Sequence, residues 1–115
     1  MLSLHQQHCN NKTRPQLISK ALLSTYLTEL SHWTCSEDNK IISRRCQFTN
    51  YYQTLAFINA VAWIAHQENH HPDIQFSYNQ CTINYTTHSA NGITLFDFIC
   101  AAHIEQLLLN PITEK

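Results

Sequence analysis

The sequence predicts an α+β fold: a four-stranded antiparallel sheet with three helices packed on one face, in the order αββαββα. Three segments repeat apolar residues at helical spacing, and two others alternate apolar and polar residues around short polar turns. The chain of 115 residues suits one domain with one core, because layering helices on a sheet buries every apolar stripe. We interpret residues 1–13 as a flexible N-terminal tail and 14–115 as the domain.

The first half of the chain supplies one helix and one hairpin. The helix is predicted at about 15–30, where Pro15 fits the first turn. Strands near 32–36 and 40–48 then flank the turn-forming segment EDNK.

The second half repeats the pattern with two helices around a hairpin. One helix is predicted at about 51–67, with Asn50 as its N-cap. The other is predicted at about 94–109, where Thr94 and Asp97 have the spacing of a capping box.

The second hairpin has the most specific pattern in the chain. A two-residue turn at 79–80 would pair Tyr78 with Cys81 and put apolar pairs on one face and polar pairs on the other. Extended along both strands, this register makes His71 face His88, with Cβ atoms roughly 4.5–5.5 Å apart.

Composition excludes several classes of protein. Seven Lys and Arg against eight Asp and Glu argue against direct nucleic-acid binding through phosphate neutralisation. No apolar run approaches the length of a membrane span, and the first residues lack the features of a signal peptide. Five widely spaced cysteines with no CxxC pair favour a reducing compartment. We therefore expect a cytoplasmic protein that contacts neither membrane nor nucleic acid directly.

Histidine is the unusual residue type, with eight copies in the chain. His66, His70, His71 and His88 are predicted to converge at one end of the sheet, with Asp97 within reach. His66 would share a helix face with His70 if the second helix extends that far. Near-neutral imidazoles around one pocket can donate and accept protons at a substrate.

Metal binding is the main alternative for this histidine group, since three histidines and an aspartate resemble a zinc or iron set. Adjacent side chains such as His70 and His71 point apart in a regular element, however, and the chain has neither HExxH nor a cysteine ligand pair. We therefore predict no metal at this site. The remaining histidines are interpreted as structural or surface residues: His5, His8, His32 and His103.

The spacing of these residues resembles the signature of the pterin-4a-carbinolamine dehydratases, also called 4a-hydroxytetrahydrobiopterin dehydratases. The matching positions are His66, His70, His71, Pro72, Tyr78, His88 and Asp97. Trp33 falls at the family's tryptophan, and the resemblance covers about residues 15–109. His66 is a departure, because the family usually has an acidic residue there.

The resemblance implies a four-stranded antiparallel sheet with helices on one face. It also implies loss of water from a 4a-hydroxytetrahydropterin to give quinonoid dihydropterin, which recycles the cofactor of aromatic amino acid hydroxylases. The pterin is the substrate, and neither a metal nor another cofactor is implied. His70 and His88 would be the acid/base pair, and His71 would orient the pterin or share the proton transfer. The residues expected to bind substrate are Asp97, His66, Pro72 and Trp33.

Family members form dimers or tetramers, so the resemblance also implies a homodimer or homotetramer. An aromatic amino acid hydroxylase would be the functional partner, and some members also serve as dimerisation cofactors of a transcription factor. A catalytically weak pterin- or protein-binding regulatory module of the same fold is the alternative function.

Overall fold

The computed structural model describes residues 2–10 and 12–109, and these contain the predicted three helices and four strands. The elements are α1 (Lys20–Glu29), β1 (Trp33–Cys35), β2 (Ile42–Gln47), α2 (Tyr51–Glu68), β3 (Asp73–Phe76), β4 (Gln80–Tyr85) and α3 (Leu95–Leu108). Two single turns of 3-10 helix occur at Leu4–Gln6 and His88–Ala90. The α+β prediction is therefore confirmed.

The sheet has the antiparallel order β1-β2-β4-β3, so the two hairpins join through their second strands. Alternate residues of the two central strands are buried in the core, as half-buried strands require. Helix α1 packs on β1, α2 packs on β4, and α2 and α3 pack on each other. Within the described residues, no helix combines the length and apolar character needed to cross a membrane. The inward-facing residues of the central strands are Ile42, Arg44, Cys46, Cys81, Ile83 and Tyr85.

Helix α1 begins later than predicted, since the sequence pattern placed this helix at about 15–30. Its first residue is Lys20, and the Ser19 side chain caps it by accepting a backbone N–H of the first turn. Ser19 is extended, and Leu17 forms an antiparallel bridge with Thr94. This pairing involves a segment far away in the sequence, which helical periodicity could not reveal.

The turn of the second hairpin differs from the prediction by one residue, and the register by two. The turn residues are 78–79, where Ser77 N–H donates to the Gln80 carbonyl at 2.9 Å. Phe76 therefore pairs with Cys81, not Tyr78 with Cys81. A shift of two residues keeps every side chain on its face, so the alternating pattern fits both registers equally well.

The predicted pairing of His71 with His88 is consequently wrong. Strand β4 ends at Tyr85, and His88 lies in the following 3-10 turn. The condition for a shared helix face of His66 and His70 is not met, because α2 ends at Glu68. Asn69 ends the helix in the left-handed conformation, with φ of 51°, which turns the chain before His70.

The N-terminal segment makes specific contacts with the domain. Leu4 is buried, and the 3-10 turn that contains it packs on α3. The backbone N–H of Cys9 and the ring of His8 both bind the carboxylate of Glu68. These residues were expected to form a flexible tail, and their mobility in solution stays a prediction.

Candidate functional site

A histidine and a buried carboxylate form the centre of the candidate site. Nε2 of His70 lies 2.6 Å from Oδ1 of Asp97. Asp97 is fully buried, and the His70 side chain is 13% exposed. An ionised carboxylate only accepts hydrogen bonds, so Nε2 carries the proton and donates it. The left-handed Asn69 and the capping box of α3 bring the two residues together across 27 positions of sequence.

The other oxygen of this carboxylate is also held in place. Oδ2 of Asp97 accepts from the Thr87 hydroxyl and from the Thr94 N–H, each at 2.9 Å. The two threonine hydroxyls lie 2.7 Å apart. The Thr87 hydroxyl donates to Asp97, so the Thr94 hydroxyl donates to the oxygen of Thr87. These hydrogen bonds keep the carboxylate from turning away from His70.

Aromatic side chains fix the ring of His70. It stacks on Tyr85 with centroids 5.2 Å apart and meets Phe96 edge-on at 6.1 Å. The Tyr85 hydroxyl donates to the His70 carbonyl at 3.0 Å. Burial raises the pKa of the Tyr85 phenol, so this group remains a proton donor.

The result is a histidine anchored by one nitrogen. Among residues 2–10 and 12–109, no hydrogen bond reaches Nδ1 of His70. With the proton on Nε2, Nδ1 presents a lone pair that can accept a proton. Asp97 would stabilise the resulting imidazolium, which is what a reversible acid/base group requires.

His71 and His88 flank this centre along the chain. His71 follows His70, and His88 follows Thr87, so each is joined to a residue that binds Asp97. Both side chains are exposed. Pro72 is half-buried and leads into β3. Accessible imidazoles next in sequence to a half-buried anchored one and to a ligand of its carboxylate suit contact with a small ligand, and their catalytic roles stay predictions.

His66 and Trp33 lie outside this hydrogen-bonded group. His66 is exposed on the last turn of α2, with its ring 5.7 Å from that of Trp63. Trp33 is buried on β1, the edge opposite β3, and its indole N–H donates to Glu105 at 2.8 Å. The same carboxylate oxygen accepts from Arg44 at 2.6 Å. The proposed contacts of His66 and Trp33 with substrate stay predictions.

Thr87 is the site residue that the sequence analysis overlooked. It is buried although it follows the end of β4. A signal was present, because Cys81, Ile83 and Tyr85 face inward, and continued alternation places Thr87 on the same face. An inward threonine beside a histidine indicates a hydrogen-bond donor to a buried acceptor.

A second imidazole–carboxylate cluster lies where α2 ends. Oε2 of Glu68 is 2.6 Å from Nδ1 of His8 and 3.9 Å from Nε2 of His103. Oε1 accepts the Cys9 N–H at 2.7 Å. Burial alone would raise the pKa of Glu68, but the hydrogen bonds from His8 and Cys9 outweigh it and lower that pKa. Interpreting His8 and His103 separately missed this cluster, because their shared partner is distant in sequence.

Comparison with known proteins identifies relatives over most of the chain. The family profile described as Pterin 4 alpha carbinolamine dehydratase matches residues 16–107. A Legionella pneumophila protein is 45% identical over 112 residues, covering 93% of this chain and 96% of its own. A Xanthomonas campestris protein is 40% identical over 114 residues, covering 98% and 97%. Both carry provisional names as pterin-4-alpha-carbinolamine dehydratases.

Solved structures agree on the fold. A Brucella melitensis protein described as a transcriptional coactivator/pterin dehydratase has a TM-score of 0.75 at 24% identity, covering 78% of this chain and 96% of its own. A pterin dehydratase-like protein described as a RuBisCO assembly factor in the alpha-carboxysome has a TM-score of 0.57 at 24% identity, covering 65% and 87%. At this identity the likeness concerns the fold alone. The family profile and the close relatives together place this chain in the pterin-4a-carbinolamine dehydratase family.

Proposed function

We propose that this protein removes water from a 4a-hydroxytetrahydropterin to give quinonoid dihydropterin, by acid/base chemistry centred on His70. The observation that carries the proposal is the 2.6 Å contact of His70 with the buried Asp97, which fixes the ring and leaves Nδ1 available. Membership of the family supports the substrate class.

The reaction requires two proton transfers on one substrate. The C4a hydroxyl leaves as water after an acid protonates it, and N5 loses a proton as the C4a=N5 double bond forms. One proton enters and one leaves, so neither a redox partner nor a further cofactor is needed for balance. Imidazoles with pKa values near neutrality suit both steps.

The described geometry suits His70 to one of these two roles. A proton taken at Nδ1 would create an imidazolium, and Asp97 opposite Nε2 would stabilise that charge. His88 would serve as the second acid/base group, and the exposed His71 would orient the pterin ring. Pro72 follows His71 in the chain. Together with His66 and Trp33, it completes the proposed substrate-binding set. The opposite assignment of acid and base between His70 and His88 fits the same chemistry.

The proposed role in the cell follows from the product. Quinonoid dihydropterin is the oxidised form that a reductase returns to the tetrahydropterin cofactor, so the protein would serve an aromatic amino acid hydroxylase. We propose that it works in the cytoplasm as a homodimer or homotetramer. Light scattering of the purified chain, together with fractionation of the cells that produce it, tests these assignments.

The decisive experiment is a dehydration assay with 4a-hydroxytetrahydropterin generated by a hydroxylase. His70→Ala and His88→Ala should each slow the reaction by about 10²–10⁴-fold, the usual contribution of acid/base catalysis. His5→Ala is the matched control, because that side chain is exposed and its contact is with Ser3. Full rates in both site variants would refute the assignment.

A second candidate function is a binding or regulatory module with little turnover. Relatives of the same fold are described as a transcriptional coactivator and as a RuBisCO assembly factor, and His66 stands at a usually acidic position. This candidate predicts that pterin binds by calorimetry while the dehydration assay shows no acceleration. Measuring binding and turnover on the same preparation separates the two functions.

A further inference from the structure

The cluster around Glu68 has the composition of a metal site. Three side chains, His8, Glu68 and His103, bring ligand atoms within 4.8 Å of one another. They come from the N-terminal segment, the last residue of α2 and the middle of α3. Two imidazoles with one carboxylate form a donor set that zinc accepts in proteins, where a fourth position remains open to water.

The Glu68 carboxylate is already oriented as a ligand. Its side chain is 3% exposed, and the Cys9 N–H holds Oε1, so Oε2 faces the two rings. A buried carboxylate with a fixed outer oxygen is the arrangement that supports metal ligands in proteins. His8, in contrast, is 69% exposed, which leaves the cluster accessible to an ion from solution.

The ligand-atom distances to Glu68 bracket the value expected of a tetrahedral site. With bonds of about 2.0–2.1 Å, ligand atoms around zinc lie roughly 3.3 Å apart. The two distances to Glu68 Oε2, 2.6 Å from His8 and 3.9 Å from His103, lie on either side of that value. Two imidazoles on one tetrahedral zinc have ring centroids roughly 5 Å apart, and those of His8 and His103 are 5.3 Å apart.

We infer that His8, Glu68 and His103 bind one divalent transition-metal ion such as Zn²⁺, at a site separate from His70 and Asp97. Occupation would replace the His8–Glu68 hydrogen bond with two metal bonds and would require His103 to exchange its contact with the Gln7 carbonyl, at 2.8 Å, for the ion. The ion would join the N-terminal segment to α2 and α3.

The test is a calorimetric titration of the full chain, purified without a histidine tag and stripped with chelator, using Zn²⁺ alone. One ion per chain should bind. His8→Ala and His103→Ala should each weaken binding by more than the roughly 10–100-fold that loss of an outer hydrogen-bond partner costs. His5→Ala is the matched control, because it lies on the same segment, is exposed and contacts Ser3.

A second measurement guards against misfolded variants. Zn²⁺ binds the native state, so it should raise the thermal midpoint of the wild type and of His5→Ala but of neither site variant. Circular dichroism checks that each variant is folded before titration. The inference is overturned if the wild type binds no zinc, or if either site variant retains wild-type affinity and the wild-type thermal shift.

Discussion

Two regions of this molecule pair an imidazole with a buried carboxylate at the same distance, 2.6 Å. At Asp97, the second carboxylate oxygen accepts hydrogen bonds from Thr94 and Thr87, which are three and ten positions away. The His70 ring there contacts the rings of Tyr85 and Phe96. At Glu68, the partners His8 and Cys9 are 60 and 59 positions away, and His8 is largely exposed. The same pair therefore gives a rigid, enclosed group in one place and an open contact in the other.

This difference suggests different functions. A catalytic acid/base group must keep one orientation through each turnover, and enclosure by packed neighbours achieves this. An open cluster that ties a terminal segment to the domain can open without disturbing the core. Substitutions that change one region at a time should separate the two roles.

The largest effect is expected for Asp97→Asn. The amide keeps the shape but removes the charge that stabilises protonated His70, so we expect turnover to fall by about 10²–10⁴-fold. The dehydration assay measures this fall, and circular dichroism checks the fold. Asp73→Asn, at an exposed position of β3, should keep the wild-type rate. Equal rates for Asp97→Asn and wild type would show that the buried pair has no catalytic role.

A smaller effect is expected for Thr87→Val. The change removes a hydroxyl that donates to Asp97 and leaves the Thr94 hydroxyl without its acceptor, at a cost of about 1–3 kcal/mol in unfolding free energy. Because Thr87 positions the carboxylate and is not proposed to contact substrate, kcat should fall while KM changes little.

The control for Thr87 is Thr82→Val, at a half-buried position of β4 that faces away from the core. Thr87→Ser should restore kcat, since the hydroxyl is retained. A purely structural role would appear differently: chemical denaturation would show lost stability, whereas kcat of the folded fraction would be unchanged.

The smallest effect on turnover is expected for Glu68→Gln. Loss of the negative charge should weaken the contacts of His8 and release residues 2–10, which hydrogen exchange detects as faster exchange of the Cys9 amide. The dehydration rate should stay close to wild type, because the His70–Asp97 pair is not changed. Glu37→Gln, at an exposed position, is the control.

A fall in turnover for Glu68→Gln as large as that for Asp97→Asn would contradict the separation of the two regions. Two contacts connect the Glu68 region with the His70 region. The Cys9 thiol lies 3.8 Å from the Phe96 carbonyl, and the Phe96 ring packs against His70. Measuring both variants and the double variant therefore determines whether the effects add.

Local signals in the sequence predicted much of the structure correctly. The caps at Asn50 and Thr94, including the capping box with Asp97, mark helix starts that the structure confirms. The order of elements and the inward face of β4 were also predictable, because each depends on neighbouring residues, whereas Phe76 and Tyr78, expected on the same apolar face, are exposed. The spacing of His70, His88 and Asp97 is part of the pattern that resembles the family's signature, and this pattern depends on the sequence alone.

The register of the second hairpin and the contacts between distant segments were not predictable in the same way. The register of β3 and β4 escaped prediction because two registers keep the same faces. The late start of α1 depends on the bridge between Leu17 and Thr94, and the missed roles of His8 and His103 depend on Glu68. These contacts between distant segments leave no periodic signal along the chain.

The sequence alone therefore determined the α+β class, the element order, the family and the residue types of the candidate site, since those follow from local periodicity, caps and spacing. Only the tertiary structure decided that His70, and neither His71 nor His88, bonds to Asp97 among the described residues, and that Thr87 orients the carboxylate. The physical reason is that a hydrogen bond depends on position and direction in space. Segments far apart in the chain acquire these only when the core has packed.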